Sequence, residues 1–179
     1  METASVRKRA YNLFCSMLVY GLLCAFLGYL LLIKADHTPN LDISFREIFV
    51  NNVTVFFRTV LFSILSFGFY GLFFIGKEMF FLGVFLRSVA EAESFSYAVS
   101  FISFHAIFEI PAIVLSGTIG ILFWCIVWND IKKKRATWGS WGFFAILLMI
   151  LFLLTVTAAV VETKITTLFL RNFILGVGK

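Results

Sequence analysis

From Trp141 to Val161 the sequence carries no charged side chain, and from Tyr11 to Ile33 it again carries none. Runs of this kind dictate the fold. A helix rising 1.5 Å per residue needs about 20 apolar residues to cross the ~30 Å hydrocarbon core of a bilayer. In that medium a chain can satisfy its own backbone polar groups only as a helix or a closed barrel. Two further stretches, about 53–75 and 97–128, are equally apolar but for Arg58 in the first and His105 and Glu109 in the second. The chain as a whole is 61% hydrophobic and 14% charged, where a soluble domain is about half apolar and a quarter charged. The expected fold is therefore an all-α membrane protein, a bundle of about five transmembrane helices with one of them weak, broken or re-entrant. It would form a single integral membrane domain over residues 1–179, with no room for a soluble catalytic domain. The 24 Phe residues read as packing and lipid-facing bulk.

Charge sets the expected orientation. The basic residues concentrate in Arg7-Lys8-Arg9 and Lys132-Lys133-Lys134-Arg135, each beside an apolar run, which is the distribution of cytoplasmic membrane flanks. They point to contact with anionic lipid heads and not to nucleic acid, for which there is no soluble basic fold to present a groove. With the N-terminus cytoplasmic, spans are expected at about 11–33, 53–75, 78–98, 97–128 and 141–161. The third is short and polar, carrying Arg87, Glu91 and Glu93, and either crosses or re-enters; the fourth is kinked near Pro111, a single crossing being preferred to a hairpin. A short amphipathic helix over about 41–52 would lie on the outer surface, and residues 162–179 would form an interfacial tail. Arg58, near the start of its span, would snorkel outward, and Glu78, Glu91 and Glu93 would sit at rims. Gly21, Ala25 and Gly28 give the first span a face of small residues suited to close helix packing.

The chemistry lies in the fourth span. On a helix advancing roughly 100° per residue, His105, Glu109, Ala112, Ser116 and Gly120 share one stripe, ionisable groups first and small ones after. An ionisable residue inside a membrane is costly enough to mark a functional candidate. The pair can be an internal hydrogen bond or ion pair that fixes packing, a proton-handling or substrate-contacting site, or part of a metal site, although one His and one Glu supply only two ligands. Pro111 removes one backbone bond and frees the Ile107 carbonyl. The candidate contact residues are thus His105, Glu109, Pro111 and Ser116, joined by Arg87 and Glu162. The packing residues are Gly21, Ala25, Gly28, Ala112, Gly117 and Gly120. Arg87 is the natural partner of Glu91, while Arg87 or Lys77 could instead meet Glu109 or Glu162 across the bundle. Cys15, Cys24 and Cys125 have no metal or redox spacing. No nucleophile elbow, zinc-binding HExxH or phosphate loop is present. No metal or cofactor is expected, and the sequence leans against catalysis, leaving an intramembrane His/Glu site as the weaker alternative.

The string from His105 to Ala112, followed by Ser116-Gly117 and Gly120, resembles the signature of the stage II sporulation protein M family of bacterial multi-spanning membrane proteins, Pro-His-Gly-x-x-Glu-x-x-Ala followed by small residues. Asn51-Asn52 resembles that family's Asn pair, and Ala158-Ala159-Val160-Val161-Glu162 its closing helix, so the likeness spans about residues 50–165. Phe104 and Ala106 stand where the family usually has Pro and Gly. The resemblance implies the bacterial plasma membrane and a non-enzymatic subunit that recruits or scaffolds partners, as in peptidoglycan remodelling during sporulation. Its alternative is a component of a circular-bacteriocin maturation, export or immunity system. The partners so implied are the lipid bilayer, peptidoglycan hydrolases or another envelope protein, or an ATP-binding transport subunit, with further copies of this chain an added option.

Overall fold

The computed structural model describes residues 2–31, 44–92, 94–133 and 138–166, with backbone alone at 2–5, 101, 102, 104, 105, 165 and 166. Five long helices make up the bundle: α1 Glu2–Leu30, α2 Phe45–Leu65, α3 Phe69–Ala92, α4 Phe95–Lys133 and α5 Trp138–Val161. A π-helical turn, Glu162–Thr166, continues α5. All five are long and apolar enough to cross a membrane, and no strand occurs among the described residues.

α4 is the axis of the bundle and packs against each of the other four helices. Every residue from Ala112 to Gly120 is buried, which is why this stretch is apolar or small all round and not striped. Against it α2 lays one face, Ile48, Asn52, Phe56, Thr59, Val60 and Ser63. The Cβ of Ser63 lies where a Cβ on Gly120 would stand, with the Ser63 backbone close behind it. The main core gathers Phe56, Val60, Phe74, Ile75, Met79, Ile113, Val114 and Ile119. A smaller cluster joins Val6 and Ala10 of α1 to Leu122 and Ile126 of α4.

α1 and α3 run parallel at near-backbone contact. A Cβ on Gly28 would fall on the Phe80 carbonyl, and one on Gly83 on the Ala25 carbonyl. Bilayer helices approach this closely where small residues remove the side chains between them, since lipid gives apolar surfaces no reason to associate beyond packing.

The boundaries of α2 differ from the sequence expectation of a surface helix followed by a span over 53–75. Ser44 and Glu47 form a capping box: the Ser44 hydroxyl accepts from the Glu47 N–H at 3.3 Å and the Glu47 carboxylate accepts from the Ser44 N–H at 2.9 Å. Two donors that a helix start leaves unpaired are thereby satisfied, and α2 begins at Phe45. It ends in a Schellman-type cap, in which the Gly68 N–H donates to the Ser63 carbonyl at 2.7 Å and the Phe67 N–H to that of Ile64 at 3.3 Å. The position that ordinarily takes glycine holds Phe67, at φ 55°, followed by Gly68 at φ 94°. The strained phenylalanine ring stacks on Trp124 at 4.3 Å between centroids, and the Trp124 indole N–H donates to the Ile64 carbonyl at 2.6 Å. The chain turns back within three residues, inside what reads in the sequence as one apolar run.

Two consequences follow for the charged residues. Arg58 lies well inside α2 and not near its start, and Glu78 lies well inside α3 and not at a rim. α3 runs as one continuous helix to Ala92, and α4 passes through Pro111 without a break, so the hairpin alternative for the fourth stretch does not occur. Glu93 and most of the tail lie outside the described residues.

Candidate functional site

The residues of the expected site lie on helices α3 and α4 and on the turn that ends α5. Glu109 is half-buried on α4, Pro111 likewise, while Ala112 and Ser116 are fully buried. The Ser116 hydroxyl donates to the Ile113 carbonyl of its own helix at 2.8 Å, and Thr118 does the same to Val114 at 2.7 Å. Both hydroxyls are thus satisfied inside an apolar core without a partner from another helix. His105 lies on α4 one turn before Glu109, its side chain outside the described residues. With Phe104 and Ala106 in place of a helix-breaking Pro and Gly, α4 starts at Phe95 and runs unbroken past His105.

Glu162 opens the π-helical turn at the end of α5, half-buried, and this turn rests against α4. A π turn sets side chains out of the 3.6-residue register of the helix before it. Thr163 stabilises the turn by donating to the Ala159 carbonyl at 2.7 Å.

Asn52 is the polar residue that the sequence pattern alone under-weighted. It is 9% exposed, in the middle of the buried stripe of α2. An apolar face interrupted by an amide asks for a hydrogen-bonding partner there. Its Oδ1 accepts from Asn51 Nδ2 at 3.5 Å, a long bond that leaves most of its capacity unused. Helix register says where it points. Ser63 abuts Gly120 on the parallel helices α2 and α4, and about three turns back along both, at 3.6 residues per turn, lie Asn52 and Glu109. Asn52, Glu109 and Glu162 therefore belong to one half of the bundle, the half holding the starts of α2 and α4 and the end of α5.

Arg87 has a different position. Its Nε donates to Glu91 Oε1 at 2.7 Å, and its Nη1 donates to the carbonyls of Tyr29 at 3.1 Å and Leu30 at 3.2 Å. The guanidinium also lies 5.9 Å from the Tyr29 ring centre. It caps the carbonyl end of α1, where the helix dipole favours a cation. Lys77 pairs with its neighbour Glu78 at 2.9 Å. Of the pairings open in the sequence, the structure contains Arg87 with Glu91, and the Lys77–Glu78 pair is one the sequence reading did not name.

At the opposite end of the bundle the Trp141 indole N–H donates to Asp130 at 2.8 Å, and Arg7 lies over the Phe143 ring at 5.7 Å. This brings the two basic clusters, far apart in sequence, to the same end. Among the described residues no three of His, Cys, Asp or Glu gather as a metal-ligating group. Asn52, Glu109 and Glu162 bring to this half of the bundle one amide, which can donate and accept, and two half-buried carboxylates, which accept.

No curated protein and no solved structure matches the chain significantly. The family model of stage II sporulation protein M matches residues 10–167, a stretch that contains Asn52, Glu109 and Glu162, most of α1 and the whole of α2 to α5. This multi-pass membrane protein belongs to the stage II sporulation protein M family.

Proposed function

We propose that the chain is a non-enzymatic membrane subunit that recruits or scaffolds partners in a bacterial envelope complex, as in peptidoglycan remodelling during sporulation. The observation that carries this reading is the polar group set of Asn52, Glu109 and Glu162 on helices where the buried hydroxyls of Thr59, Ser116, Thr118 and Thr155 are spent on carbonyls of their own helix. Ile75, Met79, Ile119, Leu122 and Ile126 are all fully buried around α4, and glycines bring α2, α3 and α4 to backbone contact. A rigid, close-packed bundle holds a recognition group in fixed geometry, which is what a scaffold needs.

In this reading the membrane is the bacterial plasma membrane. The basic end, with Arg7 to Arg9 and Lys132-Lys133, faces the cytoplasm by the positive-inside rule, and the Glu109 half faces outward, toward the cell wall. Partners meet the outward half by hydrogen bonds and charge.

Mild-detergent purification of the tagged full chain from its host, followed by mass spectrometry, tests the proposal. A co-purifying peptidoglycan hydrolase supports it, and an ATP-binding subunit or a small secreted peptide overturns it in favour of a transport role. Glu109→Gln keeps the shape of the side chain and removes its charge. The fold should survive, and recovery of the partner should drop about ten- to a hundredfold as a charge-assisted contact of about 1.5–3 kcal/mol is lost.

A further inference from the structure

Three charged side chains lie near the middle of the membrane on the outside of the bundle. Arg58 stands about 20 Å from Phe45 and about 11 Å from Leu65 along α2, at 1.5 Å per residue. Lys77 stands about 12 Å along α3 from Phe69 on the same rise, so the tight turn at 66–68 places it at the depth of Arg58. An independent marker agrees. Ile75 and Met79, which flank Lys77, pack on Gly21, near the centre of the uncharged run of α1.

The two cations are not sheltered by the bundle, and Glu78 is only half covered. Arg58 is exposed, and the Lys77 and Glu78 side chains are 46% and 33% exposed. Lys77 and Glu78 neutralise each other at 2.9 Å. Arg58 has no hydrogen-bond or ion-pair partner among the described residues. Escape to the nearer surface is hindered for it, because side chains on a helix tilt toward the N-terminus, which on α2 is the farther end. A cation on a lipid-facing surface at this depth is costly unless it meets an anion. Phe57 and Leu61 on α2 and Phe73 and Phe81 on α3 are exposed beside these charges, providing apolar surface for a neighbouring helix.

We infer that the α2–α3 face is an intramembrane docking surface for a partner's transmembrane helix carrying one carboxylate near its midpoint, which pairs with Arg58. The net charge of the patch selects this occupant. Arg58, Lys77 and Glu78 sum to one positive charge, so a second copy of the same face would leave two positive charges unneutralised, whereas one Asp or Glu on an otherwise apolar helix balances the patch. The inference names the class of partner for the recruiting role proposed above and rests on that reading.

Full-length protein reconstituted in vesicles can be titrated with a labelled apolar helical peptide of about 23 residues bearing Asp at its midpoint, with association read by energy transfer. Peptides with Leu or Lys at that position are the comparison. The Asp peptide should associate about tenfold more tightly than either, the scale of an intramembrane polar contact at the upper end of its range. Arg58→Leu, an exposed and bilayer-compatible change, should abolish the preference, and Arg58→Lys should restore it. Equal binding of all three peptides, or a preference that survives Arg58→Leu, overturns the inference. So does energy transfer between labelled copies of the protein that excludes the Asp peptide. If the peptide test fails while an envelope protein still co-purifies with the chain, the recruiting role stands and this face is not its surface.

Discussion

Arg87 shows how one side chain closes a helix end that its own sequence leaves open. α1 has no basic residue in its last turn, so the terminal carbonyls at Tyr29 and Leu30 need a donor from elsewhere. Arg87 on α3 supplies it from 57 and 58 positions away. Its bond to Glu91 is a second contact of lesser weight, since Glu91 is 50% exposed and Arg87 only 25%, and solvated ion pairs contribute little. Arg87→Gln should therefore cost about 1–3 kcal/mol of stability, and Glu91→Gln less than about 0.5 kcal/mol. Thermal melts of the two variants in one detergent measure the difference. A larger loss for Glu91→Gln would show that the ion pair, not the cap, is the stabilising contact. The pairing with Glu91 was legible as an i,i+4 spacing, whereas the cap was not, because only tertiary packing brings the end of α1 to α3.

Among the elements, the α1–α3 pair is held by absence of side chains. With Gly83 against the Ala25 carbonyl, a β-branched residue has no rotamer that avoids the facing backbone. Gly83→Val should separate the helices and cost about 3 kcal/mol or more, at the upper end of overpacking penalties. Gly142 in α5 has open space around it, so Gly142→Ala should be neutral or stabilise by up to about 1 kcal/mol through helix propensity. Loss of folded, monodisperse protein on size-exclusion chromatography for the first variant alone checks both. The small-residue face of α1 was visible in the sequence, but its partner was not, since any apolar helix presents a similar target. The α2–α3 turn was hidden for a related reason. Hydropathy does not register a reversal made by Ser66, Phe67 and Gly68 inside an apolar stretch, and it passes over the capping-box spacing of Ser44 and Glu47 that marks the start of α2.

For the molecule as a whole, five helices in alternating directions put the starts of α1 and α5 and the end of α4 at one end, and the α3–α4 junction at the other. Ser94, exposed at that junction, and Lys133, exposed at the basic end, are therefore opposite markers. In intact cells Ser94→Cys should react with an impermeant thiol reagent, and Lys133→Cys should react only after permeabilisation. Labelling in the reverse order would invert the proposed orientation, and labelling of both from outside would break the five-crossing topology. The native cysteines at 15, 24 and 125 are partly buried within apolar helices and give a low background.

The sequence by itself determined the medium, the all-helical class and the number of long apolar helices, because a bilayer admits few backbone solutions and demands long uncharged runs for them. It also placed His105 and Glu109 one turn apart on one helix, since helical periodicity is local. Tertiary structure decided what the sequence left open: Asn52 in the buried face of α2, the Glu162–Thr166 turn against α4, Arg87 committed to the end of α1, and Arg58 well inside α2 instead of near its start. These are relations between segments distant in sequence. They depend on which small faces meet and on where a three-residue turn falls, and hydropathy, which averages over a window, is blind to both.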